Sequence, residues 1–242
     1  GRYCIQRQWG IFVRWNQDVT AFEDRLFQAM FALIIGGRFG YMLFYTHFSW
    51  VQDPGLILRV WEGGMSFHGA LLGVVLWLLV DAYRHNYALI DLSDTLAVLT
   101  PVGLGLGRLA NFINGELVGR PSTLPWAMVF PWIDNAPRHP SQLYEMLAEG
   151  IFLSCILWWL AAKKPAPGRL TSAFLIGYAM IRLLIEQVRE PDVGMGFILA
   201  QSWTMGQLLS LPMIGLALWI WYWADSTHTD STQQKNASGQ MT

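Results

Sequence analysis

Charged side chains are scarce in this sequence: they make up 14% of its 242 residues, where an ordinary soluble domain carries roughly a quarter. That deficit excludes a globule with a normal water-facing surface and leaves a chain suited to lipid. A surplus of one sign is missing too. The formal net charge is −1, so no basic field marks a nucleic-acid partner. Cysteine is almost absent. Cys4 and Cys155 lie far apart, and Cys155 sits in an apolar run, which excludes a disulfide framework and a Cys-x-x-Cys metal site. His47, His85 and His228 stand in unrelated contexts without His-x-x-x-His or carboxylate spacing, so neither a metal nor another cofactor is expected. An internal repeat and a second soluble domain are lacking as well. No cleavable signal pattern opens the chain at Gly1, and its natural start is expected upstream.

What is abundant is apolar: 53% of the residues are hydrophobic. A hydrocarbon core is crossed by about 20 mainly apolar helical residues. Six segments answer to that length, at about 26–45, 69–83, 92–107, 142–161, 171–186 and 205–223. The expected fold is therefore all-α, a polytopic membrane protein of about six transmembrane helices with a small outward-facing head. Residues 1–25 read as an amphipathic cytoplasmic lead-in, 26–223 as the membrane domain, and 224–242 as a disordered cytoplasmic tail. Pro101, with Gly103, Gly105 and Gly107, predicts an irregular second half for the third span. Arg2, Arg7, Arg14, Arg25, Arg84, Lys163, Lys164, Arg169 and Lys235 fall on one side of the spans. Arg59, Arg108, Arg120, Arg138 and Arg189 fall on the other. The first side is thus read as cytoplasmic and the connection 108–141 as outward-facing.

Ionisable groups inside membrane spans are costly, at about 2.5–3.5 kcal/mol near a helix centre on insertion scales, so each requires a partner or a use. Arg38 and Arg182 qualify. Arg182 precedes Glu186 by four residues and Arg189 by seven, which puts the three on one helical face, with Tyr178 a turn earlier. Two readings fit that face: a buried ion pair that locks helices together, or an anion site in which Arg182 and Arg189 grip a phosphate while Glu186 steadies a guanidinium. A second constellation runs from Gly107 to Pro121. It joins Arg108, Asn111, Asn114 and Glu116 to glycines, Gly119 among them, that let backbone approach a ligand closely. A polar turn leaving the membrane is the plain alternative. Third, His68 opens an apolar helix, either as a cap or as a base suited to a thiol proton near neutral pH.

The run 107–121 is similar to the signature GRxxNFxNxExxGRP of the prolipoprotein diacylglyceryl transferases. Four further blocks resemble that family in the same order: Gly37-Arg38-Phe39-Gly40-Tyr41, Gly63 to Gly69, Arg138 to Glu145, and Arg189-Glu190-Pro191-Asp192. The resemblance implies transfer of the diacylglyceryl group of phosphatidylglycerol to the lipobox cysteine of a bacterial prolipoprotein, at the cell inner membrane and without a cofactor. It implies catalytic roles for His68, Arg108, Arg182 and Tyr178. It also implies substrate contacts at Arg108, Asn111, Asn114, Glu116, Gly119, Glu186 and Arg189. The sequence departs from the family at Ala70 and Ala110, where glycine is usual, in a short stretch 126–137, and in a first membrane helix expected before Gly1. A transporter would show pseudo-symmetric halves, which are not found. A different phospholipid enzyme would show aspartate clusters for a divalent metal or paired histidines, and here the acids are scattered.

Overall fold

A computed structural model describes residues 19–45, 53–59, 63–85, 88–190 and 204–239. Within these it carries six helices: α1 (Val19–Tyr45), α2 (Phe67–His85), α3 (Leu89–Asn114), α4 (Ser141–Ala162), α5 (Arg169–Ile185) and α6 (Met205–Gly239). A two-stranded antiparallel ribbon, β1 (Met128–Val129) with β2 (Pro137–Arg138), follows α3. The six helices coincide with the six expected spans. Four of them, over Glu23–Leu43, Leu89–Asn114, Ser141–Ala162 and Gly206–Ala224, are long and apolar enough to cross a membrane. This is a polytopic all-α membrane protein. Residues 19–25, read as part of a lead-in, form the first turns of α1, and residues 1–18 lie outside the described residues. The backbone of α6 continues through Gly239, across residues read as a disordered tail.

The chain divides into two compact units, Gly1–Leu92 and Ser93–Thr242. In the first, α1 and α2 meet backbone to backbone. A Cβ added at Gly36 would stand 2.5 Å from the Gly69 carbonyl oxygen and 2.8 Å from Gly73 Cα. One at Gly40 would stand 2.7 Å from Gly69 Cα. Gly36 with Gly40, and Gly69 with Gly73, are two Gly-x-x-x-Gly pairs facing one another, the pattern that lets membrane helices approach closely. Arg25 Nε reaches Asp81 Oδ2 at 3.1 Å, tying the same helices through a buried ion pair. Arg38 has an unforeseen use. Its guanidinium donates to the backbone carbonyls of Leu56, Ile57, Arg59, Gly63 and Gly64, so it pins the connection between α1 and α2. Gly36→Val is expected to force α1 and α2 apart and lower the thermal unfolding midpoint in detergent. An unchanged midpoint would show that the glycine contact does not set the helix spacing.

In the second unit, the irregular second half expected for the third span is not found: α3 is helical from Leu89 to Asn114, with Pro101 buried within it. In a bilayer no water competes for the backbone, so one missing N–H costs a single bond and the glycines do not break the ladder. Asp94 sits fully buried at the start of α5. Its carboxylate accepts from the Gly168 and Thr171 amides at 2.8 and 2.9 Å and from the Thr171 hydroxyl at 2.7 Å. It satisfies donors that the first turn of a helix leaves open.

Candidate active site

The polar centre of the second unit is built where three helices converge. In α4 the ordinary ladder gives way to a π-helical stretch, Met146–Phe152, flanked by α-helix on both sides. Within that stretch Gly150 lies against Gly105 of α3, where an added Cβ would come to 2.6 Å from Gly105 Cα. The glycine contact brings the two backbones together. Arg108, three residues beyond Gly105, thereby reaches Glu149, the neighbour of Gly150. Arg108 Nε lies 3.2 Å from Glu145 Oε2 and 3.3 Å from Glu149 Oε2.

The third helix, α5, supplies Arg182. Its Nη1 lies 2.6 Å from Glu145 Oε1 and 3.7 Å from Glu149 Oε1, and its Nη2 donates to Glu186 Oε2 at 2.7 Å. Glu145 and Glu149 are wholly buried, and Arg182 and Glu186 nearly so. Gly206, at the start of α6, closes over the Arg182–Glu186 pair, since a Cβ there would meet Arg182 Nη2 at 2.9 Å. Tyr178, one turn before Arg182, is partly buried with its ring stacked on Phe174. Both contacts of Arg108 to these acids run through Nε, leaving its terminal nitrogens without a protein partner among the described residues. Two guanidiniums from different helices are thus held together from behind by shared carboxylates. Such a fork can present planar donors to a phosphate.

Beyond α3 the chain is stitched into a cap. Asn111 Nδ2 donates to Glu116 Oε2 at 3.2 Å, and the Gln142 amide donates to the Glu116 carbonyl at 2.6 Å. Gly119 donates its N–H to the His139 carbonyl and is paired with Arg189, and Arg120 Nε donates to the Arg189 carbonyl at 2.9 Å. A Cβ on Gly119 would lie 2.6 Å from the His139 carbonyl oxygen, so only glycine fits. Arg138 binds Asp134, Glu190 and the Gly119 carbonyl. The hydrogen bond from Arg138 holds the Asp134 carboxyl below the usual carboxylate range. The contribution of this pair is therefore present above the ordinary aspartate pKa and is lost as pH falls through the lowered one.

Of the site residues expected from sequence, Arg108, Arg182 and Glu186 meet in one cluster, with Tyr178 a turn away on α5. Asn111 and Glu116 pair at the end of α3, Asn114 is exposed there, and Gly119 with Arg189 forms the backbone seam. His68 stands second in α2, and its side chain lies outside what is described. Sequence reasoning missed Glu145, Glu149 and Gly206 as site residues. The two glutamates were findable, being carboxylates four residues apart inside an apolar span, subject to the same cost as the arginines.

Residues 2–223 match the family model described as prolipoprotein diacylglyceryl transferase. Curated relatives with the name phosphatidylglycerol–prolipoprotein diacylglyceryl transferase align over most of both chains. The protein of Legionella pneumophila (strain Corby) is 46% identical over 212 residues, 87% of this chain and 81% of its own. That of Methylobacillus flagellatus is 48% identical over 221 residues, covering 91% and 84%. That of Polynucleobacter asymbioticus is 50% identical over 198 residues, covering 82% and 76%.

Proposed function

The chain belongs to the prolipoprotein diacylglyceryl transferase family, and we propose on that premise that it works in a bacterial inner membrane, moving the diacylglyceryl group of phosphatidylglycerol to the lipobox cysteine of a prolipoprotein. The cysteine sulfur attacks the glycerol carbon of the lipid. A carbon–sulfur bond forms, the carbon–oxygen bond to phosphate breaks, and glycerol 1-phosphate leaves with both electrons of that bond. The thiol proton passes to a base.

The observation that carries this reading is the pair of guanidiniums, Arg108 and Arg182, drawn together by shared buried carboxylates, with the end of the Arg108 fork unengaged among the described residues. Charge develops on the departing phosphate, and preorganised donors aimed at it lower the barrier. In this reading Arg108 and Arg182 hold the phosphate, with Glu186 and the Glu145–Glu149 pair fixing their forks. Tyr178 supports the reacting centre. Asn111, Asn114, Glu116, Gly119 and Arg189 line the route of the substrates on the outward face. His68 takes the thiol proton. Purified protein incubated with phosphatidylglycerol and a lipobox peptide is expected to add one diacylglyceryl mass to the peptide cysteine. An unmodified cysteine in that assay would refute the proposal.

The role of His68 has its own signature. A thiol has an unperturbed pKa near 8.5, so at low pH few substrate thiols ionise unaided. His68→Gln is expected to slow transfer most at about pH 6 and least near the thiol pKa, as loss of a general base requires. A deficit of constant size across that interval would assign His68 to lipid positioning instead.

A further inference from the structure

The segment between Pro121 and Pro137 carries one charge, Asp134, among fifteen residues, yet it is neither a membrane-spanning helix nor buried. Trp126 is 57% exposed, Val129 47%, Trp132 64% and Ile133 44%, with Leu124 and Met128 each at 40%. Six large apolar side chains exposed along one ribbon exceed what a water-facing loop ordinarily shows, and such patches mark a partner surface.

The position of the ribbon identifies the partner. Trp132 donates its indole N–H to the Gly115 carbonyl at 3.1 Å, just past the end of α3, and sits so tightly on Gly115 that no Cβ would fit. Phe130 is buried, edge-on to Phe112 in the last turn of α3 at 6.3 Å. The ribbon is therefore folded back on the end of a helix built to cross a membrane. At about 1.5 Å per residue the 26 residues of α3 extend about 39 Å, against about 30 Å of hydrocarbon and 40–45 Å with headgroups. Its end thus lies at headgroup depth. Leu106 and Ile113, seven residues apart on one face of α3, are exposed as well. Trp126 and Trp132 also satisfy their N–H groups within the protein, Trp126 on the Tyr144 hydroxyl at 2.8 Å. Their rings can then enter the acyl boundary without carrying an unpaired donor.

We propose that the β1–β2 ribbon is an interfacial anchor, its Trp126, Met128, Val129, Trp132 and Ile133 side chains seated in the lipid headgroup–acyl boundary beside the end of α3. Asp134, held by Arg138, keeps the neck of the ribbon polar and closed. This rests on the chain being a membrane protein and is independent of the reaction it performs.

The test uses the full chain with Cys4 and Cys155 replaced by serine and a single nitroxide-labelled cysteine at Val129, Ile133 or, as a loop control, Lys163. Samples that keep the parental unfolding midpoint are reconstituted in phosphatidylethanolamine–phosphatidylglycerol vesicles. Collision with dissolved oxygen is then compared with collision with a water-soluble nickel chelate by power saturation. Oxygen is expected to dominate at 129 and 133 and the chelate at 163. Chelate access at 129 and 133 equal to that at 163 would place the ribbon in water and overturn the proposal. So would shielding that arises only after a lipobox peptide is added, because the surface would then belong to the peptide.

Discussion

Arg182→Ala is expected to abolish diacylglyceryl transfer while the helices still insert in the membrane. Arg182 connects Glu145, Glu149 and Glu186, so the substitution takes a cation from three buried carboxyl groups and, in the function proposed above, a donor from the leaving phosphate. Removal of one preorganised donor costs about 10²–10³ in turnover. Breaking a buried ion pair from one side costs about 3–5 kcal/mol of stability. The two effects separate in Arg182→Lys, which keeps the charge. A lysine is a point charge without a planar fork, so stability should largely return while transfer stays low. Peptide mass measured beside thermal unfolding in detergent decides the matter. Near-parental turnover in Arg182→Ala would reduce the cluster to a structural ion pair.

Glu145→Gln is expected to give the second large effect, with a sign that distinguishes positioning from packing. Glu145 is the acid closest to both guanidiniums, at 3.2 and 2.6 Å. Three carboxyl groups face two arginines, and Glu145, between both, contributes one formal negative charge. Glutamine keeps the shape and removes that charge, which eases the approach of an anionic lipid. The apparent KM for phosphatidylglycerol should fall or hold, while kcat drops because Arg108 and Arg182 lose their common anchor and each misplaced fork weakens transition-state contact. A KM that rises in step with the loss of kcat would mean that the acid supports the fold alone. Glu145→Ala adds a cavity and an uncompensated arginine, and should lower the unfolding midpoint further.

The sequence made the membrane architecture legible because hydropathy is a long-range average, and six apolar runs survive local noise. The face Tyr178, Arg182, Glu186 was legible for the same reason that α5 is regular: a helix with a fixed period puts residues four apart on one side. Glu145 and Glu149 were equally open to that rule, standing four residues apart in the span 142–161 and its first turn. The Gly-x-x-x-Gly pairs at 36 and 40 and at 69 and 73 also stood in the sequence, and their meaning depended on which helices pack. Arg38 shows the limit of residue lists: its partners are backbone carbonyls, and every residue type supplies those. The continuity of α3 through Pro101 was misread because a soluble helix pays for proline differently from one in lipid. The two strands, two residues each, are too short to show a period.

The π-helical stretch of α4 has a consequence for chain length. Such a stretch behaves as one residue added to an α-helix without changing the helices on either side. Each residue of an α-helix turns the chain by about 100°. A single deletion anywhere between 146 and 152 would restore a regular ladder and, by local criteria, a better helix. Because the helices on either side keep their phase, the shift would fall inside the stretch, carrying Glu149 away from Arg108 and Gly150 away from Gly105. Point substitutions at exposed positions such as Leu147 and Ile151 should be absorbed by the lipid they face. Loss of either residue altogether should not, so within these seven positions the number of residues constrains the chain more tightly than the identity of the exposed ones.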